Sequence, residues 1–191
     1  MDKRWVNLLG LVALIAIAVF AYFFVFQAPP FEQRLGEMKQ SWLGAGLDGQ
    51  PLHLSYDKLN TLSDKELSDL KAGLLKFTEA EKNPAAKELG DAYVSLMDVS
   101  IYRKKMLDLQ ADLSAEEDPC AVLAKFDLLT QYKESLLEST NSYLSKVDSF
   151  VAGNPEAAKG VELQKGTGAS ELEQAVAEHK ALVAQLKEAC K

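Results

Sequence analysis

From Trp5 to Gln27 the chain carries no charged side chain; the run reads WVNLLGLVALIAIAVFAYFFVFQ. As an α-helix it would extend roughly 34 Å, against a bilayer hydrocarbon core of about 30 Å. The only strongly polar side chain inside it is Asn7, close to one end, where lipid headgroups can satisfy it. A cleaved secretory signal is the competing reading. Its apolar region is shorter and ends in a small-residue cleavage pattern. Here the run closes on Phe23, Phe24, Val25 and Phe26, and Gln27-Ala28-Pro29-Pro30 offers no such pattern. Residues 5–27 are therefore expected to be an uncleaved transmembrane anchor in contact with the lipid bilayer.

Orientation follows from basic residues near the two ends. Lys3, Arg4 and the α-amino group precede the run, and Arg34 and Lys39 follow it at a greater distance. Proximity favours a cytoplasmic N-terminus, with residues 1–4 as a short tail and the remainder outside the cytoplasm. Trp5 at one end, and Tyr22 through Phe31 at the other, mark the two membrane interfaces. No small-x-x-x-small pair occurs in the run, so it offers no obvious seam for helix dimerisation.

Residues 31–191 are long enough for one domain with its own core. Setting aside Asp2, Lys3 and Arg4, the chain's 21 basic and 28 acidic residues leave 19 and 27 here, a net charge of −8. That balance argues against nucleic acid and anionic headgroups as partners, because both would be repelled.

The pattern beyond Pro30 is helical almost throughout. Phe31, Leu35, Met38 and Trp42 recur at four, three and four, which places them on one helical face. That face has two uses: packing on the domain, or lying in the membrane interface with Phe31 and Trp42 as anchors. Gly44, Gly46, Gly49 and Pro51 discourage helix over 44–60, where a loop or small hairpin is expected. Residues 28–60 accordingly read as a membrane-proximal helix and linker, with the bundle proper at 61–191.

Helix boundaries are marked by capping chemistry. Ser63 and Glu66 have capping-box spacing, flanked by Leu62 and Leu67 at staple positions. Leu67, Leu70, Leu74 and Phe77 continue the stripe. Asn83-Pro84 supplies a cap and a first-turn proline for a helix reaching about Leu113. Asp118-Pro119 repeats the device and opens a helix reaching Val151, stopped by Gly153-Asn154-Pro155. Ser170 and Glu173 suggest another capping box, before a last helix ending near Cys190 with Leu172, Val176, His179, Val183 and Leu186 on its inner face. The broad apolar stripe of the 120–151 helix faces more than one neighbour, as in a bundle. The tetratricopeptide pattern is absent. The predicted fold is all-α: one transmembrane helix, then an antiparallel bundle of about four helices.

Cys120 opens the long helix and Cys190 closes the last one; their midpoint is Pro155, in the turn between the two arms. Residues equidistant from the turn of an antiparallel hairpin lie side by side, so the pair is placed to form a disulfide. Two unrelated thiols are the alternative. A bridge would suit an oxidising compartment.

The catalytic inventory is thin. His53 and His179 are the only histidines, and His179 falls at a core position. There is no His-Glu-x-x-His, no Cys-x-x-Cys and no glycine-rich phosphate loop. Glu116-Glu117-Asp118 precedes a helix start, where the helix dipole already accounts for acidic residues. No serine is marked as an activated nucleophile. No cofactor, metal or enzymatic activity is expected. Two functions remain. One is an interaction or scaffold module for an unidentified membrane or envelope protein. The other is an extracytoplasmic ligand-binding or sensory head that signals through a separate partner.

Overall fold

The computed structural model describes residues 29–44, 61–113, 118, 120, 122–161, 163 and 168–190, without the side chains of 41–44. The expected anchor at 5–27, with Trp5, lies outside the described residues, as does the expected loop or hairpin at 44–60, with His53, apart from Gly44, which is helical. Among the described residues no helix is long and apolar enough to cross a membrane, and there is no strand.

Among the described residues six helices follow one another: α1 (Phe31–Gly44), α2 (Asp64–Ala80), α3 (Pro84–Leu113), α4 (Leu123–Gly153), α5 (Pro155–Ala158) and α6 (Gly168–Ala189). Residues 31–191 form a single compact unit. Its axis is the antiparallel pair α3–α4, helices of 30 and 31 residues, each about 45 Å long. The register appears in the cross-helix contacts. Glu88 accepts from Asn154 at 2.7 Å, the Ser95 and Ser142 hydroxyls meet at 3.2 Å, and Lys125 reaches the Asp112 carbonyl at 3.5 Å. Residue numbers rise along one helix as they fall along the other.

The remaining helices pack on this pair: α1 and α2 on α3, and α5 and α6 on α4. α2 runs antiparallel to α3, with the Lys71–Asp98 ion pair at 2.5 Å and Thr78 against Gly90. The capping box opens α2 as its spacing implies. Ser63 Oγ accepts from the Glu66 N–H at 3.2 Å, and the Glu66 carboxylate accepts from the Ser63 N–H at 2.7 Å. Asn83 caps α3, its Oδ1 accepting from the Ala86 N–H at 3.1 Å.

Two helix starts differ from the expectation. At the first, the Asp118 side chain takes the Cys120 N–H and its carbonyl takes the Val122 N–H, the hydrogen bonds of an N-cap, but regular helix begins only at Leu123. α6 begins at Gly168, which leaves Ser170 inside the helix rather than at its cap.

α1 belongs to the bundle's core rather than to a separate linker. Leu35 and Met38 are buried in one cluster with Leu67, Leu74, Tyr93 and Phe150. Burying side chains of this kind contributes about 1.5–3 kcal/mol each before ordering costs.

Gly90 is required by the closeness of α2 and α3. A Cβ there would lie 2.4 Å from Thr78 Oγ1. Thr78 is itself buried and donates to the Leu74 carbonyl at 2.8 Å, so it has little room to yield. Gly90→Ala should gain about 1 kcal/mol of helix propensity yet lose more to overpacking, for a net destabilisation on the order of 1–2 kcal/mol. Adding Thr78→Ala should restore most of that loss. Denaturant unfolding of the two single variants and the double variant checks this; equal losses for G90A alone and G90A with T78A would place the strain elsewhere.

Candidate functional site

Three polar constellations stand out, and each joins two or more helices. The first is at Glu81, which ends α2. Its side chain is 1% exposed and its Oε2 lies 2.6 Å from Arg34 Nε. The other carboxylate oxygen accepts the Lys82 and Asn83 N–H groups, both at 2.8 Å. Arg34 also pairs with Glu37 and lies over the Phe77 ring, 4.7 Å from its centroid. One buried carboxylate thus fixes the α2–α3 turn and ties α1 to it. Burial alone would raise the Glu81 pKa. The hydrogen bonds from Asn83, Arg34 and Lys82 and the Arg34 charge outweigh it and hold the carboxyl below its usual value. A carboxylate with a lowered folded-state pKa contributes stability that is complete above the unfolded value and lost as pH falls through the folded one.

The second constellation lies between α3 and α4. Lys146 Nζ donates to Ser95 Oγ at 2.7 Å and to the Asp91 carbonyl at 3.3 Å, and the Ser142 hydroxyl completes the group. A serine beside a lysine is a known nucleophile–base arrangement. Ser95, however, is 4% exposed, and its hydroxyl also lies 3.4 Å from the Asp91 carbonyl of its own helix. A nucleophile needs a path for substrate; this group acts as a strut between helices. Ser95 continues the Ala92–Val99 inner row at spacings of three and four, so its burial was legible, whereas its partner across the interface was not.

The third constellation binds α6 to α4. Val176, His179 and Val183 are the buried residues of α6. The His179 ring stacks on Phe126, with centroids 5.4 Å apart and planes at 18°. Its Nε2 lies 3.3 Å from the Phe126 carbonyl. A carbonyl only accepts, so Nε2 carries the hydrogen. Burial lowers the His179 pKa first, and the nearby Lys133 charge lowers it further; the bond to Phe126 opposes both. Ion pairs Lys180–Glu134 (2.5 Å) and Lys187–Asp127 (2.8 Å) flank the contact in half-exposed positions. At the end of the arm Cys120 and Cys190 form a disulfide, with Cα atoms 5.6 Å apart.

Of the other residues singled out from the sequence, Phe31 is half-buried, its ring centroid 6.0 Å from that of Phe150. Trp42 lies within α1, with its side chain outside the described residues. Glu116 and Glu117 are also outside them, and the Asp118 carboxylate is taken up by the Cys120 N–H. Among the described residues no three His, Cys, Asp or Glu side chains cluster as metal ligands. No family model, curated protein or solved structure matches the chain.

Two outcomes follow. Arg34→Met leaves the Glu81 carboxylate buried without its charge partner and should cost on the order of 3 kcal/mol. The loss should be largest near neutral pH and shrink in acid, as the carboxyl left without Arg34 takes up a proton more readily; thermal unfolding as a function of pH measures it. The Cys120–Cys190 bridge closes a loop of 70 residues. Replacing both by serine should lower stability by up to about 4 kcal/mol, read as a shift in denaturant midpoint. Thiol labelling without reductant should leave both residues unmodified.

Proposed function

We propose that the chain is a single-pass membrane protein whose residues 31–191 act outside the cytoplasm as an interaction or scaffold module for a second membrane or envelope protein. The observation that carries this reading is the charge-free run from Trp5 to Gln27, long enough as a helix to cross a bilayer. Two further features support it. The Cys120–Cys190 bridge suits an oxidising compartment rather than the cytoplasm. The acidic balance of the domain disfavours nucleic acid and anionic lipid as its binding targets and leaves a protein surface as the natural one.

The test is made on the full chain in its own membranes. Alkaline extraction should leave the protein in the membrane fraction, and deletion of residues 5–27 should release it. Protease added to sealed cells, with outer barriers removed, should digest the domain. Cross-linking in the same cells should yield a discrete adduct with a membrane protein, lost when residues 5–27 are deleted. Full extraction of the intact chain by alkali, or a domain protected from external protease, would overturn the proposal.

A further inference from the structure

α6 is attached to the domain along one seam. Among the described helices it packs substantially on α4 alone. Leu172, Val176, His179, Val183, Leu186 and Cys190 follow one another at four, three, four, three and four, the spacing of a single helix-to-helix seam. Val176, His179 and Val183 are buried, while Leu172, Leu186 and Cys190 are half-buried. The flanking Lys180–Glu134 and Lys187–Asp127 pairs are half-exposed, where solvent leaves them little hold. A helix of 22 residues is marginal by itself in water and takes its stability from the face it buries. Here that face is narrow, and its last member is half of the cystine.

α3 and α4 are held together without α6. Lys125 reaches the Asp112 carbonyl at 3.5 Å near the bridged end. Further along, the Tyr102 and Tyr132 ring centroids lie 6.4 Å apart, with Lys105 Nζ 5.5 and 5.6 Å from them, and Lys146 spans to Ser95. Detachment of α6 also takes little from α4. The Phe126 carbonyl, which receives the His179 Nε2–H at 3.3 Å, keeps the Thr130 hydroxyl at 2.9 Å. The bridge itself is within reach of a reagent in solution. Cys120 is exposed, in the turn ahead of α4, and Cys190 lies just past the end of α6. Exposed cystines are the ones that exchange readily with thiols.

We propose that the Cys120–Cys190 cystine is a redox latch: its reduction by a protein dithiol frees α6 from α4 and leaves α1–α4 folded. A thiolate of the dithiol attacks the exposed Cys120 sulfur, the S–S bond breaks, and Cys190 leaves as a thiolate that takes up a proton. The second thiol of the dithiol then attacks the mixed disulfide and frees Cys120. Two electrons and two protons pass to the cystine, and the dithiol departs as a disulfide. The detached arm gains the chain entropy that the closed loop denied it, and the narrow seam is too small to offset the gain. Release uncovers the Phe126 face of α4. The inference concerns α4 and α6 and does not rest on membrane insertion.

The test treats the native full chain in detergent with dithiothreitol, then measures hydrogen–deuterium exchange as protection factors. Both cysteines should become open to alkylation without denaturant. Protection along α6 should fall by at least about 10-fold, with α2 and α3 unchanged within about 3-fold. Removing the reductant and reoxidising an unalkylated sample should restore the α6 value. Cys120→Ser with Cys190→Ser should reproduce the reduced pattern with no reductant present; reduction of the wild-type chain decides the matter if that variant does not fold. A cystine that dithiothreitol opens only in denaturant, an α6 whose protection survives reduction, or a loss that spreads equally to α2 and α3 would each overturn the proposal.

Discussion

The antiparallel pairing of α3 with α4 is the contact on which the rest of the domain depends. Helices this long cannot bury all their apolar side chains against one partner, because each carries a stripe broader than a two-stranded seam requires. α4 shows the consequence. Tyr143, Val147 and Phe150 turn towards α3 and the core beside it, while Phe126 receives α6. The pairing also has polar struts. Lys146 spans from α4 to two oxygens of α3, and such a group fixes register because sliding would leave buried oxygens without a partner.

The two ends of the long pair are finished by different chemistry. Around Phe150 the structure relies on burial: α1 and α2 contribute Leu35, Met38, Leu67 and Leu74, and Glu81 aligns both with the turn into α3. Near Cys120 there is less apolar area to remove from water. α6 contributes two valines and a histidine there, with Leu172 and Leu186 half-buried. Where burial is thin, a covalent cross-link is the efficient remedy, because it acts on the unfolded chain and needs no further core. The disulfide and the small buried face of α6 are two sides of one solution.

Much of this was legible in the sequence, for reasons that can be stated residue by residue. Ser63-x-x-Glu66 and Asn83-Pro84 are local devices whose hydrogen bonds close within a turn, so spacing alone specifies them. Of the inner positions that helical periodicity marks, Leu89, Tyr93, Met97, Val147 and Phe150 are buried, while Leu96, Ile101, Leu107 and Phe126 are half-buried. Local reasoning failed where two local options compete. Asp118 makes the hydrogen bonds of a cap, yet regular helix begins only at Leu123. Ser170 carries a box pattern but lies in a helix already under way from Gly168. It was silent about Glu81, which in Glu79-Ala80-Glu81-Lys82 resembles any solvent-facing acid. Its burial is decided by Arg34, 47 positions away in sequence.

α1 shows how structure narrows a choice that sequence leaves open. Its stripe of Phe31, Leu35 and Met38 suits either a bilayer surface or a protein core, but one apolar face can be buried only once. Leu35 and Met38 are buried in the bundle, while Glu32, Gln33 and Gln40 face solvent. The same face is then no longer available to lipid, and Arg34, a residue well suited to a headgroup, is engaged with Glu81 and Phe77. On the proposed membrane reading this shortens the tether. In sequence, Ala28-Pro29-Pro30 is all the chain between the charge-free run and a helix fixed in the core. On that reading a neighbour in the same bilayer would be met at high effective concentration, and what α1 contributes is its packing in the core.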